Sequence, residues 1–224
     1  MIAIIDYGAG NLRSVTNAFR HLGADVQTVS RPAELRGAQK IVLPGVGAFG
    51  TGMERLRAAG FVEPIRQATA TGMPLLGICL GLQYLFEWSD EMGHHEGLGL
   101  LPGYVTRFPF GQPELKGSLT AGQGSPKPKT KGLKVPHMGW NALHRRRDHP
   151  LLDGIPDGAY AYFVHSYYAH PADPTDVLAS TEYGIEFASA VGRGNILGIQ
   201  PHPEKSQSVG LRILRNFIAL EARG

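Results

Sequence analysis

The sequence is poor in the features that would assign it to a secreted, membrane or nucleic-acid-binding class. Only one of its 224 residues, Cys79, is cysteine, so an internal disulfide is excluded and a reducing compartment is favoured. The first apolar stretch meets a charge at Asp6, too soon for a signal sequence, and no run is long enough to span a bilayer. The net charge of +3 does not by itself require a nucleic-acid partner. We therefore expect a cytoplasmic protein that binds neither membrane nor nucleic acid.

The first half of the chain alternates short apolar runs with helix-like stretches. With 42% hydrophobic and 18% charged residues, the composition is globular and the length suits one domain, residues 1–224. Continuous apolar strands separated by helices favour a parallel sheet covered on both faces. The predicted elements are strands at Ile2–Ile5, Asp25–Val29, Lys40–Leu43 and Pro74–Ile78, and helices at Asn11–Leu22, Met53–Thr71 (with a break at Gly60) and Leu80–Glu87.

The second half contains strand-like segments that lie close together, which predicts antiparallel additions to the sheet. They are followed by a carboxy-terminal helix, predicted from apolar residues at helical spacing. Together the two halves predict an α/β fold with a mostly parallel central sheet, helices on both faces and antiparallel additions in the second half. The predicted strands are Gly99–Phe108, Tyr160–Tyr168, Val177–Thr181, Phe187–Val191 and Asn195–Gln200, and the helix is Ser208–Ala222.

One segment, residues 111–132, differs in composition from the rest. It is rich in glycine, proline, serine and lysine and has few large apolar residues. Such a segment cannot bury much surface, so we expect a mobile surface insertion.

The surroundings of Cys79 indicate a nucleophile. A lone cysteine is most often a small buried hydrophobe, but here a buried strand leads into Gly77-Ile78-Cys79-Leu80-Gly81 and then into a helix. This is the thiol form of the strand–turn–helix elbow that exposes a nucleophile at the end of a sheet. The glycines permit the close backbone approach of a sharp turn. The helix amino terminus favours the thiolate, and the Leu80 N–H is a natural oxyanion donor.

The matching base is His202, in the segment Gln200-Pro201-His202-Pro203-Glu204 that follows an apolar strand. Residues at the carboxyl end of a strand in an open α/β sheet lie where ligands bind. His202 and Glu204 are two apart, and Pro203 favours an extended backbone, so both side chains are expected on one side. The carboxylate could then fix the imidazole tautomer. Taken alone, the segment is also compatible with a plain surface turn.

These two motifs together resemble the class I, or triad, glutamine amidotransferases. Further motifs resemble, more narrowly, the glutaminase subunits of imidazole glycerol phosphate synthases, and the resemblance runs from Ile2 to the last helix. The segments that carry the resemblance are Asp6–Asn11, Pro44–Gly47, Gly77–Gln83, Pro136–Asn141, His165–Tyr168 and His202–Ser206.

The resemblance implies hydrolysis of the glutamine side-chain amide by a Cys79–His202–Glu204 triad. It also implies an oxyanion loop at Pro44–Gly47, in which the Val46–Gly47 amide reorients before it donates beside Leu80. No cofactor and no metal are implied, and His94-His95-Glu96 lacks the spacing of a closed zinc site. The implied glutamine-binding residues are Gly45, Gln83, Glu91, His165, Ser166 and Tyr167.

The resemblance also implies a partner. In this family the chain forms a heterodimer with a barrel-shaped cyclase subunit, which takes ammonia through a channel for histidine biosynthesis. A partner is needed because ammonia released into neutral water becomes ammonium, which is not nucleophilic. The implied interface residues are Asn11, Met138, Trp140, Tyr162 and Lys205.

Two departures from the family pattern and two alternatives remain at this stage. Pro201 stands where the family usually has an aromatic residue, and residues 111–132 form a segment longer than the family norm. The alternatives are a different triad glutaminase or cysteine hydrolase on the same fold, and a catalytically silent binding subunit.

Overall fold

The computed structural model describes residues 1–8, 11–110 and 132–221. The predicted insertion therefore lies outside the described residues, except for Gly132. The strands are β1 (Ile2–Ile5), β2 (Val26–Val29), β3 (Lys40–Gly45), β4 (Leu75–Cys79), β5 (Trp88–Ser89), β6 (His95–Glu96), β7 (Gly103–Arg107), β8 (His137–Arg145), β9 (Ala159–His165), β10 (Tyr167–Pro171), β11 (Val177–Glu182), β12 (Glu186–Arg193) and β13 (Ile196–Ile199). The α-helices are α1 (Leu12–His21), α2 (Phe49–Ala58), α3 (Val62–Ala70), α4 (Leu80–Gln83) and α5 (Gln207–Ala219).

Within the described residues, nine strands form a central sheet in the order β2-β1-β3-β4-β13-β12-β11-β8-β9. The pairings from β2 through β13 are parallel, and those from β13 through β9 are antiparallel. A second sheet has the order β10-β7-β5-β6. The prediction of an α/β fold with a parallel sheet and antiparallel additions is confirmed.

Alternating side chains of the parallel strands enter two separate cores, one on each face. Ile2 and Ile4 of β1 join a core closed by α1 and α5, whereas Ala3 and Ile5 join a core closed by α2 and α3. Adjacent residues of a strand point to opposite faces, so a strand that is apolar throughout needs cover on both. The predicted helices on both faces are therefore confirmed.

Two predicted elements differ most clearly from the observed ones. The helix predicted at Leu80–Glu87 ends at Gln83, because the chain continues in tight turns. The segment Tyr160–Tyr168, predicted as one strand, breaks at Ser166 and supplies β9 to one sheet and β10 to the other. The predicted break in the Met53–Thr71 helix is confirmed, since it separates α2 from α3. The strands β5, β6 and β8 were not predicted.

The sheet positions the candidate site at one edge. β3 and β4 run in parallel register, with Gly45 opposite Cys79, and β13 runs beside β4. The segments that follow β3, β4 and β13 therefore leave the sheet at the same edge, where ligands bind in open α/β folds. No helix among the described residues combines the length and apolar character needed to cross a bilayer.

Candidate active site

Cys79 is the last residue of β4 and stands at a sharp turn. Its backbone has φ 55° and ψ −112°, and the next residue begins α4. A positive φ is costly for a side chain with a Cβ, and such backbone strain concentrates at functional sites. The predicted nucleophile elbow is therefore present, with the thiol at the amino terminus of a short helical turn.

Glycines make the elbow possible. A Cβ on Gly77 would lie 2.4 Å from the Gly81 oxygen, and a Cβ on Gly81 would lie 1.8 Å from the Leu43 oxygen. A Cβ on Gly45 would lie 2.8 Å from the Gly81 nitrogen. Since all three obstructing atoms belong to the backbone, no side-chain rotation can relieve the contacts. The three glycines let β3, β4 and α4 pack closely behind the thiol.

His202 and Glu204, the other two residues of the predicted triad, contact each other. His202 Nδ1 lies 2.9 Å from Glu204 Oε1, and Asn11 Nδ2 donates to the same oxygen over 2.6 Å. The extended backbone predicted after Pro203 is wrong, because Pro203–Lys205 forms a 3-10 turn. A proline also fits the first position of a helical turn, which is the role it takes here. Pro201 is buried, and the triad contact forms beside it.

The charges of the triad reinforce one another. Burial lowers the pKa of His202, but its interactions with Cys79 and Glu204 outweigh burial and raise it to about 10. Burial raises the pKa of Glu204, and the opposing contacts of His202 and Asn11 bring it below its ordinary value. The arrangement therefore favours a protonated His202 beside an ionised Glu204 at neutral pH.

A cavity of about 400 Å³ opens in front of Cys79. Most of the residues predicted to bind substrate or to form the oxyanion hole line it. Gly45 does not, and it lies behind the elbow against Gly81. The cavity is lined by Asn11, Val46, Gly47, Cys79, Leu80, Gln83, Glu91, Pro136, Val164, His165, Ser166, Tyr167, His202 and Lys205.

The predicted oxyanion loop lies beside the thiol. It begins where β3 ends at Gly45, level with Cys79, and both Val46 and Gly47 line the cavity. Gly47 has φ 99°, a conformation that favours glycine. Tyr7 donates its hydroxyl to the Pro44 carbonyl over 2.9 Å, which fixes the start of the loop.

A carboxylate links the substrate cavity to the same loop. Glu91 Oε2 accepts a hydrogen bond from the Phe49 N–H over 2.6 Å, and Phe49 is the first residue of α2, just after the loop. Burial raises the pKa of Glu91, while the Phe49 N–H opposes that rise. An anion at a helix amino terminus is stabilised by the free N–H groups there.

Two buried histidines lie next to each other at the cavity, with His165 lining it and His137 in contact with His165. His165 donates Nδ1–H to the Tyr167 carbonyl over 2.8 Å, because a carbonyl can only accept, and its Nε2 lies 3.0 Å from His137 Nδ1. Burial lowers the pKa of His137 to about 4 and that of His165 to about 3. Both rings are therefore neutral at physiological pH, and His137 donates to His165.

The predicted interface residues divide into two groups. Asn11 and Lys205 line the mouth of the cavity. Met138 and Trp140 are exposed on β8, with Trp140 opposite Tyr162 on β9. Tyr162 joins the groups, because its carbonyl accepts the His202 N–H over 2.9 Å and the Lys205 ammonium lies 5.7 Å from its ring centre.

Sequence reasoning missed Gln200 and His137. Gln200 is fully buried, and its Nε2 lies 3.7 Å from Cys79 Sγ. The signal was available, since a polar residue directly after an apolar strand and two before the base needs a buried partner. His137 lies on β8, which was not predicted, so no local pattern indicated that its side chain is buried.

The cysteine elbow, the paired His202 and Glu204 and the sheet that positions them define a triad hydrolase on an α/β sheet. The sequence model described as Glutamine amidotransferase class-I matches residues 3–220, and the chain belongs to this family.

Relatives with curated names share about half of their residues with this chain over nearly its whole length. The protein named imidazole glycerol phosphate synthase subunit HisH of Syntrophotalea carbinolica is 50% identical over 217 residues, 97% of this chain and 98% of that protein. The HisH subunit of Salinibacter ruber is 47% identical over 98% of this chain and 94% of that protein.

Solved structures show the same fold. One titled glutamine amidotransferase has a TM-score of 0.69 at 19% identity, with 98% of this chain and 100% of that chain covered. The PurLQS structure from Thermotoga maritima has a TM-score of 0.68 at 18% identity, with 96% of each chain covered. At these identities the likeness establishes the class I glutamine amidotransferase fold and no finer activity.

Proposed function

We propose that this chain is the single-domain glutaminase subunit of an imidazole glycerol phosphate synthase. It hydrolyses glutamine to glutamate and ammonia and delivers the ammonia to a cyclase subunit for histidine biosynthesis. The observation that carries the proposal is the Cys79–His202–Glu204 geometry in a chain 50% identical, over 97% of its length, to a named subunit of that enzyme. We place it in the cytoplasm, where Cys79 stays reduced.

In the first step Cys79 Sγ attacks the side-chain amide carbon of glutamine. A C–S bond forms, and the C–N bond breaks as His202 gives its Nε2 proton to the departing nitrogen, which leaves as ammonia. Nδ1 is occupied by Glu204 Oε1 at 2.9 Å, so Nε2 is the nitrogen available for this transfer. The product on the enzyme is a γ-glutamyl thioester.

In the second step water attacks the thioester carbon. Neutral His202 takes one proton from the water, the C–S bond breaks, and glutamate leaves with Cys79 restored as thiolate. Glu204 keeps the ring in one tautomer and stabilises the cation that reforms, as the acid does in serine triads. The raised pKa of His202, about 10, favours recovery of the imidazolium after each turnover.

The negative charge that develops on the amide oxygen needs donors. Leu80 N–H follows the nucleophile directly, and the Val46–Gly47 amide lies in the loop level with Cys79. We assign both to the oxyanion hole, with reorientation of the Val46–Gly47 peptide as the step that completes it. The left-handed φ of Gly47 supports the assignment, because glycine permits both orientations of the peptide.

The amino-acid end of glutamine is assigned to the far side of the cavity. The Glu91 carboxylate is the anion available there for the substrate ammonium, and its hydrogen bond to Phe49 N–H would connect binding to the oxyanion loop. Gln83, His165, Ser166 and Tyr167 complete this wall.

The cyclase is assigned to the face around the cavity mouth. Met138 and Trp140 offer exposed apolar surface on β8, and Lys205 offers a charge beside the mouth. Contact with this face can reach the base, because Trp140 pairs with Tyr162 and the Tyr162 carbonyl accepts the His202 N–H. Docking there closes the mouth, so ammonia enters the partner before water protonates it.

The test is the Cys79→Ala variant in complex with the cyclase. Glutamine-dependent synthesis should fall by about 10⁴-fold or more, because the covalent step is lost. Synthesis from added ammonium salt should persist at the level of the unaltered complex, which controls for folding and docking. Loss of both activities would give Cys79 a structural role and contradict the proposal.

Labelling separates the proposal from a silent binding subunit. A glutamine analogue with an electrophilic side chain should add once to the chain, and Cys79 is the only cysteine that can carry the adduct. A chain that stays unlabelled at saturating analogue would contradict a glutaminase.

A further inference from the structure

A buried amide side chain lies between the nucleophile and the wall of the glutamine cavity. Gln200 follows β13 and is fully buried, and its backbone N–H donates to the Ser189 carbonyl over 2.9 Å. Its side-chain Nε2 lies 3.7 Å from Cys79 Sγ, and its Oε1 lies 3.1 Å from Gln83 Nε2. Burying a primary amide is costly unless its groups are paired, and here both ends have partners.

Neighbouring groups determine which end of the amide faces sulfur. The Tyr167 carbonyl can only accept, so Gln83 must direct Nε2 toward it, at 2.9 Å. The second hydrogen on Gln83 Nε2 then donates to Gln200 Oε1, and Gln200 is left with Nε2 facing Cys79. A backbone carbonyl thus fixes a donor, rather than an acceptor, on the nucleophile.

We propose that Gln200 is a positioning residue for the proposed glutaminase reaction, holding Cys79 Sγ in place and stabilising its thiolate by a hydrogen bond from Nε2. The inference rests on Cys79 acting as the nucleophile. A hydrogen bond to a charged group is about twice as strong as one between neutral groups, so the donor favours the thiolate over the thiol. It also restrains the sulfur on the side where the donor lies.

The same chain of contacts shapes the substrate wall. Gln83 Nε2 donates both of its hydrogens, to the Tyr167 carbonyl and to Gln200 Oε1. Its Oε1 is therefore the atom available to a substrate donor such as the glutamine ammonium. His165 also donates to the Tyr167 carbonyl, so the carbonyl at the start of this row of hydrogen bonds is held by two donors. Gln200 therefore links the residue that attacks to a residue that recognises the substrate.

The direct test measures how alkylation of Cys79 by iodoacetamide depends on pH. In Gln200→Met, which has similar volume but no N–H, the pH of half-maximal alkylation rate should rise by about one unit, a tenfold loss of thiolate at a given pH. Among the described residues, His202, Tyr7 and Tyr84 interact electrostatically with Cys79, and the substitution changes none of them. The single cysteine makes the readout specific.

Two further variants complete the design. Gln200→Leu also removes the N–H facing sulfur and adds no charge beside it, so the same upward shift is expected if Gln200→Met fails to fold. Ser189→Ala is the matched control, because it removes a buried hydroxyl from the strand that anchors Gln200. It should leave the profile unchanged.

Kinetics with glutamine provide the second readout. Gln200→Met should lower kcat by about 10-fold and change KM less, because the thiolate acts in the chemical step. An unchanged alkylation profile and unchanged kcat in folded Gln200→Met would overturn the role of Gln200. The alkylation assay uses no glutamine, so a failed glutaminase assay with a shifted profile would reject the proposed function and leave this role standing.

Discussion

In the parallel half of the central sheet β1 and β4 are buried on both faces, and β4 ends at Cys79, whereas β8 and β9 of the antiparallel half leave one face open. In β4 every residue from Leu75 to Cys79 is buried, but β8 has Met138 and Trp140 exposed. The parallel half holds the nucleophile through backbone contacts between glycines. His202 follows β13, at the end of the parallel pairings, and the antiparallel half contacts it through the hydrogen bond from the His202 N–H to the Tyr162 carbonyl of β9. Rigid backbone packing suits Cys79, the proposed nucleophile. The open face of β8 and β9 suits the proposed contact with a partner.

The largest effect on stability and activity is expected from a substitution in the parallel half. Gly81→Ala places a Cβ where the Leu43 carbonyl oxygen lies 1.8 Å away, so β3 and α4 must separate. We expect a loss of about 3 kcal/mol or more in the free energy of unfolding and almost complete loss of glutaminase activity. Urea unfolding and glutamate release measure the two.

The matched control is Gly158→Ala, just before β9. Gly158 has φ 75° but open space around its Cβ position, so only the left-handed backbone is penalised, by about 1 kcal/mol. Activity should remain. Equal losses in the two variants would contradict the idea that close backbone packing at the elbow, rather than backbone strain alone, makes Gly81 necessary.

The second prediction concerns how stability depends on pH. Below their ordinary pKa near 6.5, His137 and His165 bind protons in the unfolded chain but not in the folded one until about pH 4 and 3. Stability should fall toward acid by about 1.4 kcal/mol per pH unit for each histidine. His202 acts oppositely, because its contribution is complete below about 6.5 and is lost as pH rises toward about 10. The free energy of unfolding should therefore peak near pH 6.5.

His137→Phe tests the acid side of this profile. The ring can still stack on Phe163 and Tyr183, but one titrating group is gone, so the acid slope should fall by about half. The exposed His21 is the control, and His21→Phe should keep the full slope. Urea unfolding at several pH values gives the slopes, and an unchanged slope in His137→Phe would contradict the assignment of a neutral buried ring.

The sequence predicted the parallel half well because its signals are local. A continuous apolar run and Gly77-Ile78-Cys79-Leu80-Gly81 define β4 and the elbow from adjacent residues alone. β8 was missed because it contains Gly139 at φ 132° and alternates irregularly between exposed and buried positions. The break at Ser166 was missed because both sides are aromatic-rich and periodicity does not say which sheet a residue joins.

The candidate site shows the same division. Cys79, His202 and Glu204 were predicted from motifs, and the structure brings His202 and Glu204 into contact. The backbone that joins them was predicted wrongly, because proline permits both an extended chain and the start of a turn. Gln200 and His137 depend on partners 121 and 28 residues away, respectively. No local pattern determines contacts at such separations.

The third prediction probes the open face. Trp140→Ala removes an exposed aromatic side chain from β8. The factor by which the cyclase stimulates glutamate release should fall by about 10-fold, since aromatic side chains contribute strongly to interfaces. Glutamate release by the isolated subunit should stay the same. The exposed Arg36, before β3 at the opposite end of the sheet, is the control, and Arg36→Ala should behave as the unaltered chain. Full stimulation of Trp140→Ala would exclude β8 from the interface.

The smallest effect is expected for Lys205→Ala. Lys205 is exposed at the cavity mouth beside Glu204, and a single exposed ion pair contributes at most about 1 kcal/mol. Stimulation by the cyclase should fall up to about fivefold, and the free energy of unfolding should change less. Titration of the complex and urea unfolding measure both. Unchanged affinity together with unchanged stimulation would refute a role for Lys205 in docking.

The most direct test of the whole account is glutamate release from glutamine by this chain, first alone and then with the cyclase subunit and its nucleotide ligand. We predict low glutaminase activity of the chain alone and a rise of orders of magnitude in the complex. The reason is that, in the proposed function, the cyclase must cover the open face before Cys79 reacts at the full rate. Full activity alone, unaffected by the cyclase, would keep the Cys79 chemistry but contradict the assignment to an imidazole glycerol phosphate synthase.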